Sequence, residues 1–201
     1  VLGRTRGQQQ FRRGATRRDR PQQRICMVQG FNDAIHGLLG HEALDAFDGL
    51  DQLSSQLKLA VFILVLLGCG SKAGIFPLHI WLPHAHPAAP SHISALMSGV
   101  MIKIGIYGIL RMYAVLAWHT PLAGRIVLVA GLVSGLLGVI YAVGQHDLKR
   151  LLAYSSMENV GIILMGLGVG MIGVAADQPV MAVLGFAGGL LHLLNHAIFK
   201  S

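Results

Sequence analysis

The chain has 201 residues, of which 53% are hydrophobic and only 12% carry a charge. Because a soluble domain has roughly 25% charged residues, this composition favours the membrane class over a soluble globular protein. The net charge of +7 lies in residues 1–24, where eight arginines accompany the single acid Asp19, so the basic balance does not describe the rest of the chain.

Residues 1–24 are polar, basic and of low complexity, which predicts a disordered tail. Contact with nucleic acid or anionic lipid is one interpretation of such a charge run. We favour a solvated tail, or a segment that is not native to the protein, and expect no nucleic-acid partner. Residues 25–56 predict an extramembrane connection, because acids and apolar residues each recur every third position over 33–51, as in a short amphipathic helix.

Residues 57–201 predict an all-α bundle of transmembrane helices. Stretches long and apolar enough to cross the hydrocarbon core cover 57–80, 92–117, 125–144 and 151–173. A fifth begins at Pro179, which suits the first position of a helix, and runs to the end of the sequence. We therefore expect four full spans and a truncated fifth, cut from a longer multi-pass subunit of the plasma (cell inner) membrane. Pro77 and Pro83 predict a broken helix after the first span.

Ionisable residues inside the predicted spans are the candidate functional residues. An ionisable group in mid-membrane costs roughly 2.5–3.5 kcal/mol on insertion scales, so it suggests a functional site by default. The candidates for a proton relay are Lys72, Lys103, Glu158, His192, His196 and Lys200. Lysine and histidine suit this role because each can take up and release a proton when its surroundings change, whereas arginine stays protonated.

Each candidate also has a structural interpretation. A membrane lysine can extend to the interface, but Lys72 and Lys103 lie deep in their predicted spans. Glu158 lies early in the fourth predicted span, where an acid would complement the helix dipole. Lys200 lies about 32 Å along the fifth helix, near the far interface, so the two histidines of that helix are better placed for a relay.

Four histidines close in sequence raise the question of a metal site: His79, His84, His86 and His92. Prolines scatter them over a broken segment and no cysteine or acid joins them, so we expect no metal there. Histidines that line a polar break in the membrane are the favoured interpretation. The two cysteines form no CxxC motif, and no nucleophile or nucleotide-binding motif is present. We therefore expect no catalytic or cofactor-binding residue in this chain.

Three stretches, in order, carry a resemblance to a known family. They are GSKAGIFPLHIWLPHAHPAAPSHISALMSGVMIKIGIYGILR (71–111), QHDLKRLLAYSSMENVGIILMGLG (145–168) and LLHLLNHAIFKS (190–201). The chain resembles the antiporter-like, proton-translocating membrane subunits of respiratory complex I, cation/proton antiporters and group 4 nickel-iron hydrogenases. The first stretch and the SMENVGII segment are most similar to the hydrogenase branch, which includes formate hydrogenlyase and hydrogenase-4.

The resemblance implies roles for the same residues. Lys72 corresponds to a lysine that pairs with a glutamate on an earlier helix, and Lys103 corresponds to the lysine of the central axis. The relay of a later helix corresponds to His192, His196 and Lys200. Pro77 and Pro83 fall near the discontinuous helix of the family.

The function implied is proton conduction coupled to the redox chemistry of a hydrogenase or NADH:quinone oxidoreductase-like complex. The partners would be other membrane and peripheral subunits and the lipid bilayer. Any nickel-iron centre, iron-sulfur cluster or quinone would lie on partner subunits. A subunit of a sodium/proton antiporter is one alternative, and a structural membrane anchor is another, although deep lysines argue against an anchor.

Overall fold

The structure, a computed structural model, describes residues 53–116 and 118–200, all within one compact unit. Over these ranges the chain forms helices and turns and contains no strand. The helices are α1 (Ser55–Ala73), α2 (Leu82–Ala88), α3 (Ser91–Leu96), α4 (Ile102–Val115), α5 (Pro121–Val143), α6 (Leu148–Ala175) and α7 (Pro179–Lys200). The predicted tail at 1–24 and the predicted amphipathic helix at 33–51 lie outside the described residues.

Among the described residues, five helical segments are long and apolar enough to cross a membrane: Ser55–Ala73, Ser91–Val115, Pro121–Val143, Leu148–Ala175 and Pro179–Lys200. The second is continuous because a π-helical segment, Met97–Met101, joins α3 to α4. The predicted all-α polytopic bundle is confirmed. The fifth helix, which we expected to be cut short, has 22 residues, or about 33 Å at 1.5 Å per residue.

The first helix ends sooner than the sequence predicts. The predicted span reaches residue 80, but α1 ends at Ala73 because Gly74 adopts the left-handed conformation (φ 78°) that terminates a helix. The chain then turns through Pro77 and resumes as α2, which has Pro83 in its first turn. The helix is therefore broken in the region that the two prolines predict.

The break lies within the bundle. A Cβ built on Gly105, near the middle of the continuous helix Ser91–Val115, would lie 2.9 Å from the backbone nitrogen of Ala73. The Phe76 N–H donates to Ser134 Oγ at 3.0 Å, near the middle of α5. The end of α1 is thus level with the middles of its neighbours. The hydrogen bond to Ser134 satisfies one backbone group of the break, and such internal partners are what make irregular backbone tolerable at that depth.

Ser134 anchors this broken segment. It is fully buried in α5, and its hydroxyl accepts the Phe76 N–H. Because Ser134→Ala leaves that donor without its partner, we expect the free energy of unfolding of the chain in mixed micelles to fall by about 1–3 kcal/mol. Exposed Ser55 in α1 is the control, and Ser55→Ala should change stability far less. Equal unfolding curves for the two variants would contradict the anchoring role.

Helices α5, α6 and α7 pack through glycines. A Cβ built on Gly161 in α6 would lie 2.6 Å from the Gly131 carbonyl oxygen in α5, and one built on Gly173 would lie 2.8 Å from Ala182 Cα in α7. Backbones that approach so closely gain van der Waals contact, which drives helix association in membranes. Helix α6 is therefore central, since it packs against α2, α5 and α7.

Candidate functional site

Lys103 is buried in the apolar bundle, with 7% of its surface exposed. It lies in the first turn of α4, directly after the π-helical segment. Its Nζ donates a hydrogen bond to the backbone carbonyl of Ser98, which belongs to that segment. π-Helical turns often occur at functional sites, and here the turn presents a carbonyl oxygen to the buried ammonium.

The Ser98 side chain extends this contact toward α6. Ser98 Oγ lies 2.9 Å from Ser156 Oγ, and both residues are buried. Ser156 Oγ donates to the Leu152 carbonyl at 2.9 Å, and Lys200 Nζ donates to the same carbonyl at 3.3 Å. Two lysines from different helices, Lys103 and Lys200, are thus connected through two serines and one carbonyl oxygen.

A polar cavity of about 150 Å³ adjoins this connection. It lies at the side of the bundle where α3 and α6 begin and α7 ends. Its polar lining residues are His86, Ser91, Ser94, Ser98, Lys149 and Lys200. Ala95 and Leu152 complete the lining. The surface of the cavity is mostly apolar, but its polar lining groups and its volume allow it to hold water molecules.

His86, in α2, closes one wall of the cavity. It is 1% exposed, and its Nδ1 lies 2.5 Å from Ser94 Oγ. Burial lowers the pKa of His86 below its ordinary value, and the nearby positive charges of Lys200 and Lys149 lower it further. The imidazole is therefore neutral at pH 7. Lys149 is held in place because its Nζ donates to the Ala89 carbonyl at 2.8 Å.

The three predicted relay residues of α7 have different environments. His196 is fully buried, and neither of its ring nitrogens has a hydrogen-bond partner in the part of the chain that the structure describes. His192 is half-buried, and its Nε2 lies 2.9 Å from Asn159 Oδ1 in α6. Lys200 is half-buried and lines the cavity. Lys103 and Lys200 lie close enough to His196 for their charges to interact with its ring. The face of α7 that carries His196 therefore lies beside Lys103.

Lys72 lies apart from this group. It occupies the last turn of α1, at mid-depth in the bundle, and its side chain is exposed. The sequence predicts a deep position for Lys72 in a span that continues to residue 80, whereas α1 ends at Ala73. The resemblance places its glutamate partner on an earlier helix, before the described residues. Its role in a relay stays a prediction.

Glu158 lies ten residues after the start of α6. An interaction with the helix dipole therefore does not account for it, since that effect is confined to the first turn. A Cβ built on Gly138 in α5 would lie 3.1 Å from Glu158 Cβ, whereas neighbouring Asn159 contacts α7. The Glu158 charge acts on Lys200, so the carboxylate is near the cavity without being part of its lining.

The proline-rich segment holds two buried histidines, His79 and His86, and two exposed ones, His84 and His92. Within the part of the chain that the structure describes, no three His, Cys, Asp or Glu side chains are grouped to hold a metal ion. The His79 ring stacks on Phe76, with ring centroids 5.4 Å apart. This contact lies within the broken segment between α1 and α2.

Sequence analysis missed several residues of the site, namely Ser91, Ser94, Ser98, Lys149, Ser156 and Asn159. Ser98 stands alone among apolar neighbours, whereas Ser156 and Asn159 belong to the polar run YSSMEN (154–159) of a predicted span. Polar residues in a predicted span are a usable signal, because polar side chains in membrane helices often hydrogen-bond across helices. Lys149 follows a polar loop, where a lysine is ordinary, so the sequence does not indicate that it lines a cavity.

Comparison with known proteins identifies the family. Residues 27–201 match the sequence model of the family described as NADH:quinone oxidoreductase/Mrp antiporter, TM. The chain belongs to this family. The resemblance expected from the sequence is confirmed.

Three relatives illustrate its range. The chain is 56% identical to hydrogenase-4 component B of Escherichia coli (strain K12), over 74% of this chain and 22% of that protein. It is 46% identical to formate hydrogenlyase subunit 3 of the same organism, over 76% and 25%. It is 42% identical to a probable K(+)/H(+) antiporter subunit of Rhizobium meliloti (strain 1021), over 70% and 13%.

The chain spans about a quarter, or less, of the length of these relatives. Each of them is named as a component or subunit. Five apolar helices together with this family membership show a multi-pass membrane protein, and a place in the cell inner membrane fits the bacterial hydrogenase relatives.

Proposed function

We propose that this chain is the part of a proton-conducting membrane subunit that carries the central relay. The supporting observation is the buried Lys103 ammonium, which is connected through Ser98 and Ser156 to the carbonyl that Lys200 also contacts, beside a polar cavity. An apolar bundle gains nothing in stability from burying an ammonium among hydroxyls, because desolvating a charge is costly. Proton transfer would account for a buried lysine that stability does not explain.

The chemistry follows from the groups present. A hydroxyl both donates and accepts, so the Ser98–Ser156 pair can orient water in the adjacent cavity. Lys103 Nζ donates to the Ser98 backbone carbonyl, which transfers no proton, so in this proposal water carries the proton between the cavity and Lys103. On the other side, His196 is buried near Lys103, and none of the described residues hydrogen-bonds to either ring nitrogen. One of these nitrogens can receive a proton from Lys103 through an intervening water molecule. His192, bonded to Asn159, continues the same face toward mid-membrane.

In this proposal the driving redox reaction takes place elsewhere. A hydrogenase or NADH:quinone oxidoreductase-like assembly supplies it, and any nickel-iron centre, iron-sulfur cluster or quinone lies on a partner subunit. The other membrane and peripheral subunits and the lipid bilayer are the partners, and nucleic acid is not. Identity to hydrogenase-4 component B and formate hydrogenlyase subunit 3 supports the hydrogenase branch.

A subunit of a multisubunit cation/proton antiporter is the second candidate. The 42% identity to the probable K(+)/H(+) antiporter subunit supports it, since a proton relay would serve both functions. A structural anchor has less support, since an anchor has no need of a buried lysine connected to a polar cavity.

The redox-coupled function and the antiporter function differ in the driving force for proton movement, which is a redox reaction in one and a cation gradient in the other. We expect the complete parent complex, reconstituted in vesicles, to move protons when its redox substrate is supplied in choline medium without Na⁺ or K⁺. A pH-sensitive dye inside the vesicles measures this movement. Proton movement that ignores the redox substrate and requires Na⁺ or K⁺ on the opposite side would establish the antiporter function instead.

A further inference from the structure

The cavity beside the relay has an unbalanced charge. Two lysines, one histidine and three serines line it, and among residues 53–116 and 118–200 no carboxylate belongs to the lining. Glu158 acts on Lys200 from outside the lining, and exposed Asp147 accepts the Lys149 backbone N–H at 2.9 Å. The walls therefore present donors and positive charge without an internal counter-ion.

Most of these donors keep hydrogen-bonding capacity. An ammonium has three N–H groups, and Lys149 and Lys200 each use one on a backbone carbonyl. Ser91 begins the continuous helix Ser91–Val115, whose amino end adds partial positive charge at the cavity. His86 is fully buried, and its Nε2 has no hydrogen-bond partner.

We propose that this cavity binds a phosphate-class anion, either free phosphate or the phosphate of an anionic lipid headgroup. Phosphate oxygens accept from ammonium groups and hydroxyls, which are the polar groups of this lining. A volume of about 150 Å³ accommodates a phosphate group. The cavity also lies where three helices end, and basic pockets between membrane helices near the interface suit lipid headgroups.

Bound phosphate would supply the missing counter-charge for Lys149 and Lys200, which come from different helices. It would thereby fix the end of α7 against the start of α6. The inference goes beyond proton conduction, because binding is measured without any proton movement. Loss of proton conduction and absence of the anion are therefore separate results.

The test uses the full 201-residue chain, purified and stripped of lipid. The probes are inorganic phosphate, phosphatidylglycerol and, as the zwitterionic comparison, phosphatidylcholine, with binding followed by isothermal titration and native mass spectrometry. We expect Lys149→Gln to weaken binding of the preferred probe about tenfold, because a charge-assisted contact is lost while a polar side chain is kept. Arg150→Gln removes the same charge from an exposed neighbour outside the lining and should change affinity less than about twofold.

Comparing the affinities for the probes shows whether the bound phosphate group belongs to a lipid or to a free anion. Lys149-dependent binding of phosphatidylglycerol alone assigns a lipid headgroup, and Lys149-dependent binding of inorganic phosphate assigns a free anion. Ser91→Ala, which keeps every charge, should also weaken binding several-fold and replaces Lys149→Gln if that variant does not fold. No binding of either anion by the unmodified chain, or equal losses in Lys149→Gln and Arg150→Gln, would overturn the proposal.

Discussion

Replacing Lys103 with methionine should lower proton movement through the parent complex by about a hundredfold or more, the lower end of the range for loss of a proton-transfer group, while the complex still assembles. Methionine keeps the length and apolar volume of the side chain but has no proton to transfer. Assembly should survive because removing a buried charge relieves its desolvation cost. The Ser98–Ser156 hydrogen bond does not depend on the ammonium and should remain. Proton uptake in vesicles and native gels measure the two effects.

Lys103→Arg separates proton transfer from charge pairing. Arginine keeps the positive charge and can still donate to the Ser98 carbonyl, but it does not release its proton. We expect this variant to be impaired as well, whereas Arg150→Met, at an exposed site, should leave turnover unchanged. If Lys103 were only a structural charge, arginine would be tolerated and methionine would mainly prevent assembly. Normal proton movement in the arginine variant would remove Lys103 from the relay.

The sequence identifies Lys103 but not its partners. A solitary lysine in an apolar span is informative because burying it is costly. Its acceptor depends on a π-helical turn that starts at Met97, and no residue pattern in that segment predicts such a turn. The contact with Ser156 depends on which faces of two helices meet, and helical periodicity does not determine this. The cavity joins segments about 110 residues apart, from α2 to α7, so only the fold reveals it.

The end of α1 shows what local signals can predict. Gly74 followed by Pro77 is a recognisable termination pattern, since glycine caps a helix and proline cannot continue it. Counting apolar residues nevertheless extends the span to residue 80, because the broken segment is itself apolar. The depth of the break depends on contacts of Phe76 with α5 that are remote in sequence. The predicted end of the first helix is therefore wrong, and Lys72 lies in its last turn.

Adding a single methyl group at Gly185 should destabilise the bundle by about 1–3 kcal/mol, the range for overpacking a tight interior. A Cβ there would lie 2.7 Å from Gly170 Cα and 2.9 Å from the Gly166 carbonyl oxygen, both in the backbone of α6. Backbone atoms cannot rotate away, so α6 and α7 must separate and lose contact along their length. Because α7 carries His192 and His196, the relay would be displaced with it.

Gly188, one turn further along α7, is the matched control for Gly185→Ala. A Cβ built there meets nothing within 4 Å, so Gly188→Ala adds only the helix propensity of alanine, worth up to about 1 kcal/mol in favour of the folded state. The free energy of unfolding of the 201-residue chain in mixed micelles, measured by circular dichroism, should therefore fall for Gly185→Ala and rise for Gly188→Ala. Because both variants replace glycine with alanine on α7, the difference between them reports the contact with α6 and not the change in helix propensity. If both variants shifted stability equally, close packing of α6 against α7 would not be what holds the relay helix in place.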